Sequence, residues 1–159
     1  MIDLIFVIKF VHDVASAAMF GTWLAVAIFM HLARRSRNTS VVALTSHFAV
    51  RVELTVMIAA IALQPLSGFP LAWAVGLSPG DDFWIALSLA LYGLVVAAWL
   101  AALLIEFRIR SLTRQAALEG VPLPQSYYRL YRLYAALVWP ALAALVVIFL
   151  LMAWQPRLS

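Results

Sequence analysis

Cysteine is absent from the 159 residues. That excludes disulfides, thiolate-held iron–sulfur clusters and haem attached through C-x-x-C-H, and it leaves the redox compartment open. Charge is scarce: acidic and basic residues make up 11% of the chain, against about 25% in a soluble domain. The six glycines never gather into a phosphate-cradling loop, and no internal repeat or low-complexity tract is present. There is no Ser-His-Asp order, no paired carboxylates and no His-Glu-x-x-His helix, so hydrolysis has no support.

What is abundant is apolar. Two-thirds of the residues are hydrophobic, with a mean hydropathy of +1.01. They fall into four blocks, 2–32, 52–76, 83–107 and 133–154, each at or above the roughly 20 residues that cross about 30 Å of hydrocarbon. With their polar flanks the predicted helices are 2–32, 52–76, 83–118 and 127–154, an all-α integral membrane four-helix bundle in a single unit over 1–159. The first block begins MIDLI and runs well past the roughly 7–15 apolar residues of a signal peptide, so it reads as a retained helix.

Nine of the eleven basic residues lie in two connections: Arg34, Arg35, Arg37 and Arg51 in the first, Arg108, Arg110, Arg114, Arg129 and Arg132 in the third. The positive-inside rule makes both cytoplasmic. The middle connection, GLSPGDDF, carries Asp81 and Asp82 without a base. Both termini are therefore expected outside, periplasmic for a bacterial inner-membrane protein. The net charge of +4 comes without base-stacking aromatics in a soluble domain, so it orients the chain and does not indicate nucleic acid.

Helix one is expected to end near His31, and a second amphipathic stretch leads into helix two. In LQPLSGFPLAW, Pro65 removes a backbone donor and crowds the preceding turn, which predicts a kink there. Asp81 or Asp82 suits the N-cap of helix three and Ser126 that of helix four. Gly120, Pro122 and Pro124 stop helix three, whose basic extension EFRIRSLTRQAALEG suits anionic headgroups at about 1 kcal/mol per base. Tyr127, Tyr131 and Tyr134 read as an interfacial anchor belt, and Trp73, Trp84 and Trp154 as depth markers near the outer ends.

One stretch, IKFVHDVASA (8–17), sets three ionisable groups in a helix otherwise fit for lipid. Lys9 and Asp13 are four apart and can pair near the surface. His12 remains, and intramembrane ionisable groups are functional candidates. At a rise of about 1.5 Å per residue, His12, Gln64 and Tyr92 all lie about 12–16 Å from the outer face and can share one layer. Small residues Ala15, Ser16, Ala18 and Gly21 leave room beside it. Neutral imidazole is a good haem ligand when its other nitrogen has an acceptor; the alternative is a histidine that only holds helices together. No second axial ligand is evident, since Met19 shares the face of His12 and His31 and His47 lie at the other end. A surface metal on His31, His47 and Glu53 matches no motif, and Met30, Met57 and Met152 read as core fillers.

Several stretches carry a resemblance: K-F-V-H and F-G-T-W-L in helix one, L-Q-P-L-S-G in helix two, L-Y-G in helix three, P-L-P-x-x-Y before helix four and W-P-A within it. Across nearly its whole length the chain resembles a bacterial family of small four-helix integral membrane proteins, the 2269 domain of unknown function, which implies a fold and no activity. Helix one is also similar to HemJ-type protoporphyrinogen oxidases, which bind haem b and show K-x-x-H early in helix one. Lys9 and His12 match that element, while the family's helix-three lysine has no counterpart in FWIALSLALYG. Copper-resistance D-type proteins are a looser parallel, through a helix-one histidine followed by small residues.

The reading is thus a four-helix inner-membrane protein with His12 as haem b ligand and Gln64 and Tyr92 in the pocket, used in electron transfer or haem-linked oxidoreduction. The alternative is a non-enzymatic accessory subunit or homodimer whose polar layer fixes packing. A transporter would need a polar path through the cytoplasmic half, which LAVAIFM and GLVVAAWLAALLI do not offer.

Overall fold

A computed structural model describes residues 2–78, 80 and 82–155, with side chains from residue 4 onward. Among the described residues there are four long helices and no strand: the first spans Ile2–Arg35, the second Thr39–Ala74, the third Phe83–Glu119 and the fourth Gln125–Trp154. Each is long and apolar enough to cross a membrane. Their lengths of 34, 36, 37 and 30 residues correspond to about 45–55 Å, beyond the roughly 30 Å of hydrocarbon. The bundle therefore has two ends: a terminal end with both termini and the 75–82 connection, and a basic end with the connections 36–38 and 120–124, rich in arginine.

The helix boundaries have local causes. The first helix continues past His31 to Arg35, and Arg37 turns the chain with a positive φ of 55°. Asn38 then caps the second helix, its Oδ1 accepting from the N–H groups of Ser40 (3.0 Å) and Val41 (3.2 Å). The connection is thus three residues, and the expected amphipathic stretch is the first part of the second helix, because Thr39–Val52 buries Val42, Ser46, Ala49 and Val50 along one side. Gly120 ends the third helix in the left-handed region (φ 65°).

One expected cap holds its position and one differs. Asp81 lies outside the described residues, and Asp82 holds the N-cap position of the third helix while its Oδ2 accepts from the Ser78 N–H, 3.1 Å away. Ser126 lies within the first turn of the fourth helix, which starts one residue earlier after Pro124. The second helix is helical through Pro65 and Pro70; its departure from α geometry is a π turn at Glu53–Met57. Such a turn inserts one residue and is frequent at functional positions.

The third and fourth helices pair along their lengths, the first packs on the 58–74 half of the second, and the 39–52 half of the second packs on the third. Large buried side chains crowd the basic half: Trp23, Met30, Met57, Ile109, Tyr127 and Tyr134. Leu4, Phe6, Leu66, Phe69 and Trp73 at the terminal end are exposed, the arrangement a bilayer requires. Trp84, expected as a depth marker, is instead buried, whereas Trp73 and Trp154 are exposed.

Candidate functional site

At the terminal end, the first and second helices are tied by a polar clasp. Ser67 Oγ lies 2.5 Å from the Leu63 carbonyl one turn back, so its single proton goes there. The contact between His12 Nδ1 and Ser67 Oγ (3.0 Å) must then be donated by the imidazole, which assigns the Nδ1–H tautomer and leaves the Nε2 lone pair free of hydrogen bonds among the described residues. Gln64 Nε2 donates to the His12 carbonyl (3.2 Å) and to Ser16 Oγ (2.8 Å), and Ser16 donates to the same carbonyl (2.9 Å). Gly68 completes the cradle, since a Cβ built there would stand 3.1 Å from His12 Cε1.

His12 and Gln64 therefore share one layer, as the depth count suggested. Tyr92 is held elsewhere: its hydroxyl donates to the Ile61 carbonyl at 2.7 Å, joining the third helix to the second. Lys9 and Asp13 form the expected ion pair at 2.9 Å, both exposed. Ala15 and Met19 are buried on the His12 face, while Gly21 faces open space.

Toward the basic end lies a second polar group that sequence reading missed. Glu53, at the start of the π turn, and Glu106, on the third helix, are each 1% exposed. Glu53 Oε2 accepts the Trp99 indole N–H, and its Oε1 has no hydrogen-bond partner. The two carboxyls lie close enough to act on each other. Beside Glu106 stands the Tyr134 hydroxyl, also 1% exposed and near enough to that carboxyl to interact with it. No arginine or lysine pairs with either acid: among the described residues the one ion pair is Lys9–Asp13.

The three tyrosines expected as an anchor belt instead point inward. Tyr127, Tyr131 and Tyr134 are buried and their rings follow one another with centroids 6.2 and 6.1 Å apart. Tyr131 places its hydroxyl 3.3 Å from His31 Nδ1 and its ring 4.7 Å from the Arg34 guanidinium carbon. A line of polar side chains thus runs from the basic end through His31, Tyr131 and Tyr134 to Glu106 and Glu53. The basic half is therefore not apolar throughout, because its polar groups sit at the edges of the runs LAVAIFM and GLVVAAWLAALLI. His31, His47 and Glu53 do not meet, and among the described residues no three His, Asp or Glu side chains form a group able to hold a metal ion.

Periodicity was the available signal for this site. Trp99, Ala102, Glu106, Ile109 and Thr113 recur at helical spacing, and all are buried. An isolated acid in that stripe, before FRIR, resembles a juxtamembrane acid facing arginine unless its helical face is followed. No curated protein and no solved structure matches the chain. Residues 6–156 match the family described as predicted integral membrane protein (DUF2269), and the chain belongs to that family.

Proposed function

We propose that this is a proton-exchanging membrane protein whose working group is the Glu53–Glu106 pair. The observation that carries it is that two carboxyl side chains, each 1% exposed, act on each other in the core, with no arginine or lysine paired to either among the described residues. A lone buried carboxylate costs tens of kcal/mol by Born solvation at low dielectric, and two together cost more. With no cation beside them, charge balance calls for a proton held by the pair. The titratable groups acting on that proton are the two acids and Tyr134. The line of Tyr134, Tyr131 and His31 supports exchange with the basic end; only O–H and N–H bonds form and break along it.

The orientation follows the arginines: basic end cytoplasmic, termini periplasmic, lipid covering the apolar flanks. A hydrophobic carbodiimide, which adds to protonated carboxyls in apolar surroundings, tests the reading. Adducts are expected on Glu53 or Glu106 by peptide mass spectrometry, falling as pH rises. Adducts confined to Asp13 and Asp82, outside the core, would contradict it.

A second reading concerns haem b, favoured by the His12 tautomer. Nε2 is unoccupied by hydrogen bonds while Nδ1–H is oriented by Ser67, the arrangement of an axial histidine with an ordered outer partner. His12 would be the ligand, Ser67 would fix its ring and Gln64 would hold the two helices at that level. Bound haem b would supply a one-electron couple. His12 is the one imidazole the clasp would offer such a group. A Soret band in protein purified with haem precursor, lost in His12→Ala, supports this reading. Colourless, folded protein leaves the clasp as purely structural, in line with an accessory subunit.

A further inference from the structure

We infer that the groove beside Arg110 and Arg114 at the basic end is a binding site for the phosphate of an anionic phospholipid. Two adjoining hollows, of about 430 and 280 Å³, share Arg110, Arg114 and Leu118. One runs along the third helix past Phe107, Ser111 and Gln115; the other lies between the third helix and Ala43 and His47 of the second. The two arginines are one turn apart on one face, and His47 and Arg51 approach from the second helix. Two arginines and an imidazole thus line the paired hollows, with Arg51 close enough to act on His47.

None of these arginines has an acidic partner among the described residues. Of the acids on the third helix, Glu106 is buried beside Glu53, and Glu119 accepts instead from Gln115 Nε2 at 2.9 Å. Guanidinium offers forked N–H donors that match phosphate oxygens. A free anion and a lipid headgroup present the same chemistry, and two observations favour the lipid. The exposed side chains of the third helix are apolar as far as Phe107 (Leu94, Leu100, Leu104) and turn basic at Arg108, so the groove opens where hydrocarbon gives way to headgroups. Its walls are also largely apolar, with Phe107, Ala43, Ala117 and Leu118 beside the charges, a surface that acyl chains can cover. This inference is independent of the carboxyl pair and of His12.

The test is thermal unfolding of the full chain in mild detergent, titrated separately with phosphatidylglycerol, phosphatidylcholine and inorganic phosphate. Phosphatidylglycerol is expected to raise the midpoint while the other two do not. The double variant Arg110→Gln/Arg114→Gln should bind phosphatidylglycerol about 30-fold more weakly, the weight of two bases near an anionic surface. Arg108→Gln/Arg129→Gln removes the same charge from exposed positions outside the groove and should bind as wild type does. Equal weakening in both double variants would overturn the site in favour of diffuse attraction. Equal stabilisation by inorganic phosphate would overturn the lipid assignment.

Discussion

Single atoms decide the chemistry here. In the clasp, the one proton of the Ser67 hydroxyl fixes the tautomer of His12, and Gly68 leaves the space in which the ring lies. Gly68→Ala would press a methyl onto Cε1 at 3.1 Å, and overpacking of this kind costs about 1–3 kcal/mol. A lowered unfolding midpoint in detergent is the expected outcome. Ser67→Ala removes a single interhelical bond inside the membrane, worth about 0.6 kcal/mol, so its midpoint should move less than that of Gly68→Ala. His12 was legible from sequence because it is the ionisable group left over in an apolar run once Lys9 and Asp13 are paired. Glu106 was not, because its neighbours Arg108 and Arg110 disguise it as part of the basic flank. The fact that separates the two environments, which way the helix face turns, exists only after packing.

Elements explain why the two polar groups coexist. The second helix serves both: Gln64, Ser67 and Gly68 face the first helix, and Glu53 faces Trp99 on the third. The π turn at Glu53–Met57 separates these stretches by one extra residue. Removing one residue from it would return the stretch to regular α-helix with the flanking faces kept nearly in phase. Deletion of Leu54 is therefore expected to disturb the Glu53–Trp99 contact, which starts in the turn, and to spare the clasp. A shift of the tryptophan emission with helical content kept would report that loss.

Helix existence was readable from hydropathy, since four apolar runs of spanning length leave little choice. The early start of the second helix was harder to see, because Thr39–Val52 interleaves its apolar residues with Thr, Ser, His and Arg and depends on the Asn38 cap and tertiary burial. Asn38→Ala should weaken that start by about 1 kcal/mol, seen as faster amide exchange at Thr39–Val42. The tyrosines misled for a related reason: their helical spacing fits a lipid-facing belt and an inward ladder equally, and the face is settled by the partner helices.

At the scale of the whole molecule, charge is distributed by end. The basic end carries the arginines, the proposed headgroup groove and the tyrosine line; the terminal end carries the clasp and the wide apolar flanks. The chain's lack of cysteine makes this testable, because single cysteines can be introduced into a silent background. Ser36→Cys is expected to be shielded from a membrane-impermeant maleimide added to intact cells, and Gly80→Cys to be labelled. The opposite pattern would invert the orientation and, with it, the side from which the proton is exchanged.

The central claim is that the buried acids hold an exchangeable proton, and infrared spectroscopy reads it most directly. Wild-type protein in lipid at neutral pH should show the C=O stretch of a protonated carboxylic acid, shifted on transfer to D₂O. Glu106→Gln, which keeps the side-chain shape without the acid, should lose or displace that band while remaining folded. A wild-type spectrum without a carboxylic C=O band would contradict the account, because both acids would then be ionised in a core that offers them no cation.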